Sequence, residues 1–126
     1  MRVSRQLVSG RALILAVMSG DRTEALWDAF VVAMLATGPA AERRSRYGNK
    51  PALFTASREI AHLEASGVID LRITRAGWLA VKDRFGADPA VLRDPSRRDW
   101  IELHPDSAAD FDRLGQLLST AMAANA

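Results

Sequence analysis

The clearest signal along the chain is the alternation at 69–74, where Ile69, Leu71 and Ile73 interleave with Asp70, Arg72 and Thr74. Period two marks a strand with one buried face, so a strand is predicted over 68–74. Ala65-Ser66-Gly67 suits a hairpin turn before it. Trp100-Ile-Glu-Leu-His104 alternates again, with Ile101 and Leu103 on one face, Trp100, Glu102 and His104 on the other, and Pro105 closing the strand. Three further stretches carry helical spacing. From Asp21 to Gly38, Leu26, Phe30, Ala33 and Met34 form one stripe, widened by Trp27, Val31 and Leu35. Asp21 and Glu24 have capping-box spacing, Gly38 fits the C-terminal cap, and Pro39 blocks continuation. Arg75 to Phe85 reads as a helix capped by Thr74, with Trp78, Val81 and Phe85 on its stripe, Leu79 beside it, and Gly86 at its end. The last helix is predicted after a cap at Asp106 or Ser107, with Phe111, Leu114, Leu117, Leu118, Ala121 and Met122 on its apolar face.

Between these elements, 39–51 reads as a polar loop and 88–98 as a loop or short helical turn. Residues 58–64 are ambiguous. As a strand they join 52–56 and 68–74 in an antiparallel meander; as a helix stopped by Gly67 they give the recognition helix and wing of a winged-helix regulator. The fold class expected is α+β, an antiparallel sheet of about four strands with N-terminal, crossover and C-terminal helices. One domain is expected over 21–126, with 1–20 as an N-terminal extension or covering segment.

Composition adds mainly exclusions. The 126 residues include no cysteine, which excludes disulfides, thiolate metal sites and a cysteine nucleophile. No apolar run reaches the roughly 20 residues of a membrane span, so no membrane partner is expected. Arg2, Arg5 and Arg11 followed by Ala12–Met18 have the outline of a signal peptide, but the run is short and no small-x-small cleavage pattern follows. A cytoplasmic location is expected.

The pI of 9.7 suggests nucleic acid, but the net charge is only +2. Of the 17 basic residues, 15 are arginine, which does not titrate near neutrality. Residues 1–50 are net +4 and residues 51–126 net −2. The densest basic cluster is Arg43, Arg44, Arg46 and Lys50 around Tyr47, able to hold a phosphate backbone with Tyr47 stacking, or simply a solvated loop.

The catalytic inventory is small. There is no phosphate-binding glycine loop and no nucleophile elbow. In the strand reading, His62 and Glu64 share a face, and neighbouring strands bring Asp70, or Glu102 with His104, to the same side. That set can move a proton or bind a divalent ion; a solvated polar sheet face is the plainer reading, and no metal or cofactor is assigned. Trp27 and Trp78 fall on apolar helix faces as core anchors. Trp100 lies on a mixed face, where it can line a pocket.

Several stretches together resemble the small actinobacterial luciferase-domain family: Pro51–Phe54, Arg58–His62, Asp70–Thr74, the helix with Trp78, Asp99–Glu102, and Asp110–Ala121. The resemblance implies an α+β fold with an antiparallel sheet, similar to the double-wing shape of YjbR-like proteins, and favours the strand reading of 58–64. It does not imply light emission. Glu59 and Asp70 match the family, but Glu64 stands where a second histidine often follows His62, so His-x-His chemistry is not carried over. The leading expectation is a binding module for a small ligand or protein partner using Arg58, His62 and Trp100, with Asp70. Glu59 joins them through the resemblance alone, since alternation turns it to the other face. The alternatives are a winged DNA-binding regulator using the basic loop 43–50 and the hairpin at 68–74, and a metal-assisted or acid/base enzyme around His62, Glu64 and His104.

Overall fold

The computed structural model describes residues 22–46 and 48–126. The expectations for Met1–Gly20, the Asp21 cap and Tyr47 lie outside the described residues. In chain order the elements are α1 (Arg22–Leu35), β1 (Ala41–Arg44), β2 (Pro51–Phe54), β3 (Glu59–Leu63), a 3-10 turn (Ala65–Gly67), β4 (Ile69–Arg72), α2 (Arg75–Phe85), β5 (Val91–Leu92), β6 (Trp100–Leu103), α3 (Asp110–Arg113) and α4 (Gly115–Ala124). All strand pairings are antiparallel, in the order β1-β2-β3-β4-β6-β5.

The α+β class and the antiparallel sheet are as expected, but the sheet has six strands rather than about four. The two additions lie in segments read as loops. β1 occupies Ala41–Arg44 and β5 only Val91–Leu92. Neither carries alternation: β1 is mostly exposed and β5 spans two residues. β1 is an edge strand, and its Arg43 and Arg44 are the kind of charge that discourages further strand addition.

Residues 58–64 resolve as strand. β3 pairs with β2 and β4, and all five of its residues are buried. An amphipathic helix buries only a stripe, whereas an interior strand covered on both faces buries every position. β4 is likewise paired on both sides, so 69–72 lies in the sheet interior. The 3-10 turn between them places Gly67 at φ +81°, a conformation glycine adopts without steric cost.

One sheet face carries Leu53, Ala61, Ile69, Leu71, Ile101 and Leu103, packed in one core with Trp27, Phe30 and Met34 of α1, Trp78, Val81 and Phe85 of α2, Phe111 of α3, Leu114 at the break, and Leu117, Leu118, Ala121 and Met122 of α4. The predicted stripes are therefore core-facing, with two corrections: Leu35 is 48% exposed and Leu79 51% exposed. α1 ends at Leu35, short of Gly38. Gly38 instead permits close approach, since a Cβ there would lie 2.7 Å from Met122 Cγ. Trp27 is anchored by an Nε1–H bond to Glu42 of 2.7 Å.

Thr74 caps α2 as expected, accepting from the Gly77 N–H at 3.0 Å. It does so at φ +65°, a rare conformation for a β-branched residue. Asp99 holds this turn: its carbonyl accepts from Ile73 and Thr74, and its carboxylate accepts from the Arg75 amide. The terminal helix departs from expectation in two ways. It is broken at Leu114, and its start uses Asp110, whose carboxylate accepts from the Asp106 and Ser107 amides. Asp106 and Ser107 thus donate rather than cap, because the carboxylate that reaches free amides lies inside the helix.

Asn125 ties α4 to the sheet. It is 3% exposed, its side-chain amide donates to the carbonyls of Arg72 and Ala121, its Oδ1 accepts from Arg72, and its carbonyl accepts from Thr55. Asn125→Ala leaves the Arg72 carbonyl without this donor and should cost about 1–3 kcal/mol in urea denaturation, the range for a stranded buried polar group. A loss no larger than that of an exposed substitution would show that the clasp is dispensable.

Candidate functional site

The register of the sheet aligns Arg43, Ala52, His62, Asp70 and Glu102 across five strands. This row lies on the face opposite the helical core. Antiparallel pairing therefore brings His62 and Asp70 together, as the strand reading expected, and sets Glu102 beside Asp70. Arg72 pairs with Trp100 in the next row.

Glu59 also reaches this face. β3 has one extra residue opposite Leu53–Phe54, a β-bulge that resets the alternation at Ile60. Glu59 Oε2 lies 3.0 Å from His62 Nδ1, correcting the expectation that alternation would turn it away. Glu59 is itself held by Ser45 Oγ at 3.0 Å and the Arg46 amide at 2.9 Å.

The other imidazole nitrogen meets two carboxylates. His62 Nε2 is 2.9 Å from Glu64 Oε1 and 3.0 Å from Asp70 Oδ2. Asp70 Oδ2 in turn accepts from Arg97 Nη2 at 3.0 Å, and Arg97 Nη1 is 3.9 Å from Glu102. Glu102 bonds His104 Nε2 at 2.9 Å. The result is a chain of hydrogen-bonded and ion-paired groups: Glu59, His62, Asp70, Arg97, Glu102, His104. Trp100 flanks it, its ring 5.3 Å from the imidazole and 5.7 Å from the Arg97 guanidinium. His62, Glu64, Asp70, Arg97 and Trp100 line a cleft of about 490 Å³.

Burial penalises the protonated imidazole, but the hydrogen bond and charge of Asp70, with the charges of Glu59 and Glu64, outweigh it and raise the His62 pKa above its ordinary value. Burial likewise disfavours ionised Asp70, yet the hydrogen bonds from His62 and Arg97 hold its pKa below the usual carboxylate value. The Asp70 bond raises the Arg97 pKa further above its ordinary value. One atom escapes the network: Asp70 Oδ1 is buried and has no hydrogen-bond partner.

The structure thus gathers five of the expected residues, Glu59, His62, Glu64, Asp70 and Trp100, and adds Arg97. Arg58 is not among them; it is exposed in the β2–β3 turn. His104 contacts Glu102 at the far end of the chain and does not line the cleft. The basic candidates lie elsewhere: Arg43 and Arg44 on β1, Arg46 and Lys50 in the turn that follows. Arg43 and Arg46 stack over Phe54, Arg44 bonds Asn49, and Lys50 reaches Glu64 at 3.7 Å. Arg97 had no periodic signal: it sits in the irregular cluster Arg97-Arg98-Asp99, and only the β4–β6 pairing brings its loop to Asp70.

The shifts fix a pH signature. The raised His62 pKa contributes stability that is complete below its unfolded value of about 6.5 and is lost as pH rises through the higher folded value. The lowered Asp70 pKa contributes stability that is complete above 3.8 and is lost as pH falls through the lower folded value. The stability difference between wild type and His62→Gln in urea titrations should therefore be greatest between 3.8 and 6.5 and shrink at alkaline pH. A difference that grows as pH rises above 6.5 would contradict the charged pair.

Compared with protein-family models, curated proteins and solved structures, the chain shows no match.

Proposed function

We propose that this chain is a ligand-binding module whose cleft at His62 and Trp100 takes a small cationic ligand. The observation that carries this reading is Asp70 Oδ1, a buried carboxylate oxygen without a partner in a residue that lines the cleft. A buried acceptor left unpaired costs about 1–3 kcal/mol, which a ligand's donor or positive charge recovers. Charge supports the same class. Glu59, Glu64, Asp70 and Glu102 outnumber His62, Arg97 and Lys50 around it, and the Trp100 ring lines the cleft beside them. The stretches that resemble luciferase-domain proteins, Arg58–His62 and Asp99–Glu102, include strands that border this cleft.

One arrangement favours a divalent ion as that cation. Ligand atoms of His62, Glu64 and Asp70 all lie within 4.8 Å of one another. Glu59 holds the opposite imidazole nitrogen, the usual support for a metal-binding histidine. A bound ion would polarise a water or a ligand oxygen in the cleft, which keeps metal-assisted chemistry around His62 within the same reading.

Thermal unfolding tests both forms. Mn²⁺ or Zn²⁺, or an organic ammonium such as an arginine ester, should raise the melting temperature, with about 2.7 kcal/mol of stabilisation at a hundredfold excess over Kd. Glu64 is 42% exposed at its side chain, so Glu64→Gln should fold while losing most of the metal response. Trp100→Ala should weaken the organic cation instead. The proposal is wrong if no cation stabilises the wild type, or if both variants respond as the wild type does.

A further inference from the structure

A second cleft lies on α2, away from His62. Arg75, Trp78, Leu79 and Lys82 stand at i, i+3, i+4 and i+7, so they share one flank of the helix. The segment after β5 supplies the other wall with Arg93, Pro95 and Arg98. Together these residues enclose about 420 Å³, and four of them are cationic while none is acidic.

Among the described residues, the cations here form no salt bridge. Arg72, Arg97 and Arg113 each pair with an aspartate. Among the described residues, Arg75, Lys82, Arg93 and Arg98 make no such pair. The acids of the same loop do not line the cleft: Asp94 accepts from Ser96, and Asp99 pairs with Arg72 and accepts from the Arg75 amide. Arg93 is fixed in place: its guanidinium lies 5.7 Å above the Trp78 ring, and its Nη2 donates to the Arg98 carbonyl at 3.3 Å. That pose leaves Arg93 Nε buried and without an acceptor.

A positioned guanidinium with an unused donor, surrounded by three more cations, suits a multiply charged anion with several acceptor oxygens. Phosphate fits better than a single carboxylate, because its charge matches the cluster and its oxygens accept the forked donors of arginine. Exposed Leu79 and Pro95 leave an apolar wall for the rest of such a molecule. From this we infer that the α2 cleft is a binding site for a small phosphorylated molecule, with Arg93 as the oriented donor and Arg75, Lys82 and Arg98 as the charge that holds the phosphate. This site shares no lining residue with the His62 cleft.

The test is an NMR titration of the full chain with pyrophosphate at physiological ionic strength. The Arg93 Nε–H resonance should move in a saturable way. Arg93→Gln should weaken binding roughly tenfold, as expected for a charge-assisted hydrogen bond. If Arg93→Gln disturbs the packing on Trp78, the exposed substitutions Arg75→Gln and Lys82→Gln serve instead, each weakening binding about threefold. Arg84→Gln removes a charge from the same helix outside the cleft and should leave affinity unchanged. The inference is overturned if Arg93 Nε–H does not respond, or if Arg84→Gln weakens binding as much as Lys82→Gln, which marks diffuse attraction. It is equally overturned if duplex DNA moves the same resonance at lower concentration than pyrophosphate does.

Discussion

The contact between His62 and Asp70, on adjacent interior strands, constrains the rest of the structure. Both side chains are nearly buried, at 7% and 4% exposed. A buried charge stranded without its partner is costly, so the register that makes His62 oppose Asp70 is strongly preferred over its neighbours. A slip of one residue in either strand would set that strand's charge against the helical core and send its Leu71 or Ala61 to the polar face. The same register brings Glu102 beside Asp70 and gives Arg97 two carboxylates to bridge. Packing on one face and ion pairing on the other thus specify the same alignment.

The two faces also divide the work of the molecule. The helical side is apolar and closed, with Trp27, Phe30, Leu71, Ile101 and Leu117 at most 1% exposed. The opposite side carries the polar row, and His62, Asp70 and Arg97 there are held by hydrogen bonds to one another. Such preorganisation lowers the ordering cost of binding, because Asp70, His62 and Trp100 are already oriented. The second cleft follows another plan. Its cations are gathered by one helix flank and one loop, and their mutual repulsion is left for a ligand to relieve.

Much of this was legible in the residue order, for physical reasons that also explain what was not. Alternation at 69–73 and 100–104 and the stripes of α1, α2 and the terminal helices follow directly from burial on one side, and the structure carries each of them. The edge strands β1 and β5 left no trace, because an exposed or two-residue strand has no buried face to impose a period. His62, Asp70 and Trp100 were legible as candidates because strand geometry alone puts them on the polar face. Arg97 and Arg93 were not, since both sit in irregular chain whose position depends on the pairing of distant strands. Arg58 falls apart from the cleft because it belongs to a run that is partly turn, and the structure places it exposed in the turn before β3.

The bulge at Ile60 has a consequence for how such a site is inherited. Glu59 reaches the imidazole only because β3 holds one residue more than the stretch of β2 it opposes. Substitutions along β3 leave that count unchanged, whereas losing or gaining a single codon there rotates Glu59 into or out of the network. In related chains the support behind His62 would then depend on the spacing between Phe54 and His62 as well as on residue identity, so an alignment scored on residue similarity alone would miss the event that adds Glu59 to the network or removes it.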